Sequence, residues 1–387
     1  LKMVLSNGTN LHFSIIRSSI YVPALNRPSA DDLMKVLDER NVRTLIRTWR
    51  KSDDELEDIA RKMKRKLKNL DHYSDEELID ALAQHDEAPF DERRSAGASS
   101  FEELKYEEYW ALLNESGREG ELITRKCEKP KNLNSETSML IDEIVAVEKL
   151  RETSAFAGFT RLFYDVPEEM GDPQHLLWKD YPSDIHKRWL PASVTFGEGI
   201  FLSINNQILR DWSLKENVSR HINILQNNYN DCVSQYGWSE LTVLPQFVFL
   251  HTLSHLLINE LVFECGYGVA SLRERIYCSN EASTEMYGIL IYSAAGDSEG
   301  TMGGLVRQSE PHLFGDLLSN ALEKAQWCSS DPICAESSEQ GGQGPFSLNL
   351  AACHSCSLLP ETSCEHFNRF LDRSVVNKDS PYSLISL

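Results

Sequence analysis

The 387-residue chain is 41% hydrophobic and 25% charged, a composition that supports packed cores, and its length suggests two or three domains. Cores of that size need no disulfides; no apolar run is expected to span a bilayer and no signal-peptide pattern opens the chain, so the cytosol is the expected compartment. A formal charge of −20 argues against a chain that grips DNA unaided, because Lys and Arg on phosphates supply most of such affinity.

From Leu1 the chain reads as strand material from inside a domain, which points to a longer protein. Residues 11–22, LHFSIIRSSIYV, are β-branched and aromatic and predict one or two strands ending at Pro23. From Ser29 to about Asn114 the pattern is helical. Asp53-Asp-Glu-Leu-Glu opens one helix that closes on Arg61, Lys62, Lys64, Arg65, Lys66 and Lys68, acid first and base last as the helix dipole favours. The basic run is first of all a helix C-terminus, and second a candidate phosphate contact. Ser74-Asp-Glu-Glu77 is a capping box before another short helix. Between Asp75 and Glu121 stand fifteen acidic residues against four basic ones, Arg93, Arg94, Lys105 and Arg118. A solvated helical face is the plain reading, and a docking surface for a basic partner the sharper one.

A small-residue loop, 93–100, precedes a helix over Phe101–Leu113, a strand over Leu122–Cys127 and an amphipathic segment over Thr137–Arg151. Short strands and turns are expected over 156–213. Two long helices follow, Val218–Trp238 and Phe247–Cys265, the second apolar nearly all round and therefore buried. Met286–Tyr292 predicts a strand, Asp297–Gly304 a Gly-rich loop, and Pro311–Trp327 a helix running into a cysteine cluster.

That cluster carries the strongest chemical signal. Five of the nine cysteines, Cys328, Cys334, Cys353, Cys356 and Cys364, are spaced C-x5-C-x18-C-x2-C-x7-C. A dense group with a CxxC fits a metal in a reduced compartment better than disulfides. Cys353 and Cys356 form the knuckle, Cys328 and Cys334 complete four thiolates around one structural zinc, and Cys364 is the alternate ligand. Four sulfur ligands leave no open position for water, so the ion staples the fold. His251 and His255 sit at i, i+4 on the buried helix with Glu260 beyond them, but Thr252 stands where a zinc-protease HExxH pattern needs glutamate. Gly300-Thr-Met-Gly-Gly304 has no following Lys-Ser/Thr, and the chain holds no GxxxxGK[ST] nucleotide loop. A tight turn supporting the helix at Leu305 is its expected role.

With the buried helix bearing His251 and His255, the strand Gly288–Tyr292, the loop at Gly303 and Gly304, the paired cysteines and a final Leu371-Asp-Arg373, residues 216–387 resemble the C-terminal zinc-binding domain of MrfA-type superfamily 2 DNA helicases. Further runs are similar to the DrmB family, core subunits of the DISARM phage-defence system. They are His251-Thr-Leu-Ser-His-Leu-Leu257, Asp297-Ser-Glu-Gly-Thr-Met-Gly-Gly-Leu-Val306, Cys328–Cys334, Ala351–Cys356 and Glu361–Glu365, with Gly158–Arg161 and Gly197–Phe201 upstream. The resemblance implies a bacterial, cytoplasmic antiviral complex in which a separate DrmA-like helicase subunit holds the ATPase motor and most DNA contacts. It also implies no membrane and no small-molecule substrate.

The expected fold is mixed α+β: a helix-rich, multi-domain α/β chain with short sheets and a C-terminal four-cysteine zinc-binding domain. The expected segments are a mostly helical 1–136, an α+β connection 137–215 and the zinc-binding domain 216–387. Three functions compete. The first is a non-catalytic subunit that partners a helicase and helps form its DNA path, with Arg61–Lys68, Arg43, Arg47 or Arg307 touching phosphate. The second is a metal-dependent enzyme acting on nucleic acid through His251, His255 and Glu260, and the third an autonomous zinc DNA-binding module.

Overall fold

A computed structural model describes residues 12–20, 56–66, 101–114, 120–161, 189–281, 284–293 and 303–385, with single positions at 37, 42, 46, 49, 70, 78, 79, 82 and 177. The chain divides into two compact units, one of 22–107 and one of 1–21 with 108–387. In the smaller unit, helix α1 (Leu56–Lys66) is amphipathic. Its Ile59, Ala60 and Met63 are buried with Leu37, Val42, Ile46, Leu70, Leu78 and Leu82, the i, i+1, i+4 spacing of one helix face. Arg61 turns outward and pairs with Asp58 at 3.5 Å, and the Lys66 ammonium lies over the Trp49 ring at 5.7 Å. The side chain of Arg65, and Lys68, Arg43 and Arg47, fall outside the described residues.

The larger unit is built on one antiparallel sheet that draws strands from all three of the segments read in the sequence. Its strands are β1 (His12–Ile20), β2 (Ile123–Cys127), β3 (Ile141–Arg161), β4 (Ala192–Ile204), β5 (Leu272–Ser279) and β6 (Met286–Ser293). Their order is β1-β3-β4-β6-β5, with β2 also on β3. The 21-residue β3 is the spine: its first half pairs β2, its second half pairs β1, and β4 runs along its other edge. Mixed α+β is thus the class, with a sheet more continuous than the short ones expected.

Residues 137–151 are not one amphipathic segment. Asn134 caps a six-residue helix, α3 (Ser135–Leu140), by accepting the Thr137 amide at 2.7 Å. From Ile141 the chain is extended, because Ile144, Val145, Ala146 and Val147 are buried on both faces between two neighbouring strands. Where β4 crosses β6, glycine is obligatory: a Cβ on Gly197 would lie 1.8 Å from the Ser293 carbonyl oxygen. β5 is a strand that the sequence reading passed over.

Helix α2 (Phe101–Leu113), with its residues from Glu108 onward in this unit, covers one sheet face. There Phe201 meets Tyr109 and Tyr277 edge-on at 5.6 and 5.8 Å, Tyr109 and Tyr277 lie tilted at 6.0 Å, and the Glu108 carboxylate takes Arg275 Nε at 2.6 Å and Nη2 at 3.0 Å. The opposite face carries α4 (Asn206–Ser213), α5 (Glu216–Tyr236), α6 (Pro245–Cys265), the short α7 (Gly304–Arg307) and α8 (Pro311–Lys324). Strand alternation divides the residues: Ile200, Leu202, Ile276, Ile289 and Ile291 enter the helical core, while Phe201, Arg275 and Tyr277 point to α2.

α6 is the central helix. Pro245 starts it and Gly266, at φ 69°, stops it in the left-handed conformation that glycine adopts without strain. Contrary to the expectation of no span-like run, Pro245–Glu264 is long and apolar enough to cross a membrane, alone in this among the described residues. Its apolarity has a different cause: 78% of that window is buried, packed on β5, β6 and α8.

Candidate metal centre

α8 ends at Lys324 and delivers the chain into two turns that face each other. In the first, Asp331 accepts the Cys328 amide at 2.9 Å and the Ala335 amide at 3.1 Å, which closes the loop from Cys328 to Cys334. In the second, the Cys353 carbonyl accepts the amides of Cys356, Ser357 and Leu358 at 3.0 to 3.2 Å. The four sulfur atoms of Cys328, Cys334, Cys353 and Cys356 then lie within 4.8 Å of one another. Neighbouring pairs stand at 3.6 Å (Cys328–Cys353), 3.8 Å (Cys334–Cys356) and 3.8 Å (Cys353–Cys356). A regular tetrahedron with Zn–S of ~2.3 Å has edges of about 3.8 Å. These separations fit that figure and are far too long for disulfides.

Hydrogen-bond donors face three of the four sulfurs. The Ser330 amide points at Cys328 Sγ (3.4 Å), the Cys353 amide at Cys356 Sγ (3.2 Å) and the Gln343 side chain at Cys334 Sγ (3.6 Å). The hydrogen bond from Cys334 holds the Cys356 thiol down at about 5 and, with burial, pushes Cys334 up. The set can hold one zinc, with all four positions taken by protein sulfur.

The remaining candidates are placed elsewhere. Cys364 does not join the four cysteines; it gathers with His251, His255 and Glu274, whose donor atoms also lie within 4.8 Å of one another. Burial drives the His251 pKa down to about 4 against the pull of Glu274. Burial opposes ionisation of Glu274, but the imidazoles of His251 and His255 outweigh it and hold the carboxyl well below its usual range. Burial raises the Cys364 thiol, and Glu274 adds to the rise.

Glu260 is nine residues beyond His251. At about 100° per residue that is the opposite side of the helix, where it meets Lys324 Nζ at 2.6 Å. The trio His251, His255 and Glu260 therefore does not converge. The sequence did flag the histidine pair and Cys364, but Glu274 escaped notice because β5 itself was not read.

At the Gly-rich loop, residues 294–302 fall outside the described residues, and with them Asp297 and Glu299. Gly303 and Gly304 are described. The Glu198 carboxylate accepts the Gly303 amide and, at 3.0 Å, the Leu305 amide. Among the described residues of the loop, the Gly303 and Leu305 amides that could face a phosphate are thus already held by the Glu198 carboxylate. The loop also spells Gly296-Asp-Ser-Glu-Gly300, the GxSxG spacing of a nucleophile elbow, which sequence reasoning passed over. Ser298 is outside the described residues, and β6, the strand before it, runs antiparallel to both its neighbours. Arg307 is described, in the last turn of α7.

Comparison with known proteins agrees with this geometry. Residues 253–357 match the MrfA Zn-binding domain family, a span that contains all four clustered cysteines. The chain is also similar to the DISARM protein DrmB of Bacillus paralicheniformis, 38% identical over 252 residues. That alignment takes in 62% of this chain and 42% of the relative, so the chain spans well under half the relative's length.

Proposed function

We propose that this chain is a zinc-stapled, non-catalytic subunit of a DISARM-type phage-defence complex. It docks on a superfamily 2 DNA helicase of the DrmA kind and helps shape that partner's DNA path. The similarity to DrmB over 62% of the chain carries the reading. The charge of −20 and the lack of a Walker A loop support a motor and most phosphate contacts in the partner. The four-sulfur cluster supports a scaffold, since its zinc keeps no site for water or substrate. Arg61, Lys62, Lys64, Arg65, Lys66 and Lys68 on α1 and beyond are the basic residues offered to DNA within the complex. The cytoplasm is the compartment in which it acts.

The rival enzyme reading through His251, His255 and Glu260 loses its third residue to Lys324. The autonomous DNA-binding reading needs a basic surface that an acidic chain supplies poorly. Co-expression with the helicase subunit and pull-down is the test: a zinc-containing complex is expected, in which ATP hydrolysis tracks the helicase. Failure to co-purify, or ATP hydrolysis by this chain alone, overturns the proposal.

A further inference from the structure

The group around Cys364 is assembled from three separate segments and is closed to solvent. His251 and His255 come from consecutive turns of α6, Glu274 from the helix-facing side of β5, and Cys364 from the C-terminal loop. The side chains of His251, His255 and Glu274 are 0% exposed, and Cys364 is 5% exposed. His251 Nε2 stands 3.0 Å from Glu274 Oε1 and 3.1 Å from Cys364 Sγ, while His255 Nε2 is 3.4 Å from the same Glu274 oxygen. A tetrahedral zinc with nitrogen and oxygen at ~2.0–2.1 Å and sulfur at ~2.3 Å has edges of about 3.3–3.6 Å. The His255–Glu274 edge matches, and the two edges at His251 fall about 0.3–0.5 Å short, an approach that a bound ion would open.

Hydrogen-bond accounting favours a cation at the centre. His255 Nδ1 donates to the Ser357 carbonyl at 2.7 Å; a carbonyl only accepts, so the proton sits on Nδ1. His255 Nε2 is left buried with no hydrogen-bond partner, its lone pair turned toward a carboxylate oxygen. Two facing lone pairs in a dry interior repel unless a cation lies between them. The outer groups are those that hold a ligand set in place. Ser254 Oγ donates to Glu274 Oε2, the Glu365 amide to Oε1 (3.2 Å), and the Asn368 amide to Cys364 Sγ (3.1 Å).

We propose that His251 Nε2, His255 Nε2, Glu274 Oε1 and Cys364 Sγ form a second zinc site, separate from the four-cysteine cluster. One thiolate, one carboxylate and two neutral imidazoles around Zn2+ sum to no net charge, which a fully buried site requires. Mixed nitrogen, oxygen and sulfur donors suit zinc better than the oxygen-seeking Mg2+ or Ca2+. All four positions belong to protein, so the site is structural and binds the C-terminal loop to α6 and β5. It also reaches the first cluster: the Ser357 carbonyl that orients His255 follows Cys356, and Asn259 of α6 donates to the Cys356 carbonyl at 3.4 Å. The two ions would therefore both brace the Cys353–Cys356 knuckle. Nothing in this proposal depends on the helicase partnership.

Zinc content and the zinc X-ray absorption spectrum of the purified full chain test it without any substitution. The expectation is two zinc ions per chain and an average shell of about 2.5 sulfur and 1.5 nitrogen or oxygen atoms, the mean of an S4 and an S1(N,O)3 site. The Cys364→Ser variant should lose one zinc and shift the average shell toward four sulfurs. A single zinc with a mixed shell would support this site at the expense of the cysteine cluster. A single zinc with an all-sulfur shell, after refilling with zinc, overturns the proposal and leaves a proton on His255 to balance Glu274.

Discussion

Arg373 Nη2 donates to both carboxylate oxygens of Asp331, at 2.7 and 2.9 Å, while its Nη1 donates to the Ala325 carbonyl at 3.0 Å. Asp331 is the residue that closes the Cys328–Cys334 turn, so this buried guanidinium positions half of the cysteine cluster from 42 residues away. Two nitrogens of one planar group thus hold Asp331 and the Ala325 carbonyl together, a pair of directions that a lysine ammonium does not reproduce. Arg373→Ala should cost about 3 kcal/mol, in the range for breaking one side of a buried pair. It should also speed zinc loss to a chelator. Arg373→Lys should rescue neither fully, and chelator kinetics beside urea unfolding would show it.

Cys356→Ser removes the ligand at the corner of the cluster, since Cys356 Sγ faces both Cys334 and Cys353. The variant is expected to lose the cluster's zinc and to melt at a lower temperature than the parent. Because the sheet and α6 have their own core, unfolding should remain cooperative. Metal analysis with calorimetry on the two proteins checks both halves of this expectation.

Asp372 contributes to acid sensitivity. Burial opposes its ionisation, but hydrogen bonds from His221 (2.8 Å) and Ser374 (2.6 Å) outweigh burial and hold its pKa below 3.8. A carboxyl depressed in the folded state stabilises at pH values above its unfolded pKa, and that contribution vanishes as pH falls through the folded one. The stability difference between the parent and Asp372→Asn should therefore be constant from neutral pH to about 5 and shrink below about 4. Urea midpoints across that range measure it; a difference that grew in acid would contradict the sign.

On the other sheet face, Glu108 gathers Arg275, the Ile20 amide at 2.9 Å and the Tyr277 hydroxyl at 3.3 Å. Glu108→Ala takes from a buried guanidinium its nearest counter-charge, leaving Glu365 at 4.0 Å, and should cost about 3 kcal/mol. Glu108→Gln keeps the shape and part of the hydrogen bonding, and should cost less. Chemical denaturation of both variants orders them.

Glu198→Ala exposes what the Gly303 and Leu305 amides lose without their acceptor. The expected cost is about 1–3 kcal/mol for buried donors left unpaired. Hydrogen exchange at those two amides should rise well before that of the β4 backbone, and uniform exchange would argue that Glu198 does not hold the turn.

Local pattern and distant pairing divide what this sequence reveals. The cysteine spacing, the apolar helix with histidines at i, i+4, and the missing nucleotide loop are all legible, because each rests on a few neighbouring residues or one helix face. So are the strands His12–Ile20, Ile123–Cys127 and Met286–Ser293, whose β-branched and aromatic residues act locally. Strand β5 was not legible, since Leu272-Arg-Glu-Arg-Ile276 places charges at buried positions that only a neighbouring element can neutralise. Nor did the sequence reveal that Glu274, not Glu260, faces the histidines. That choice depends on which face of β5 meets α6, set by its register with β6. The cysteines were determined by sequence down to their secure pair, Cys353 and Cys356. Sequence favoured Cys328 and Cys334 over Cys364 as their companions, but only the tertiary structure shows which sulfurs gather, because chain closure across the sheet brings each sulfur to its neighbours and spacing along the chain does not measure it.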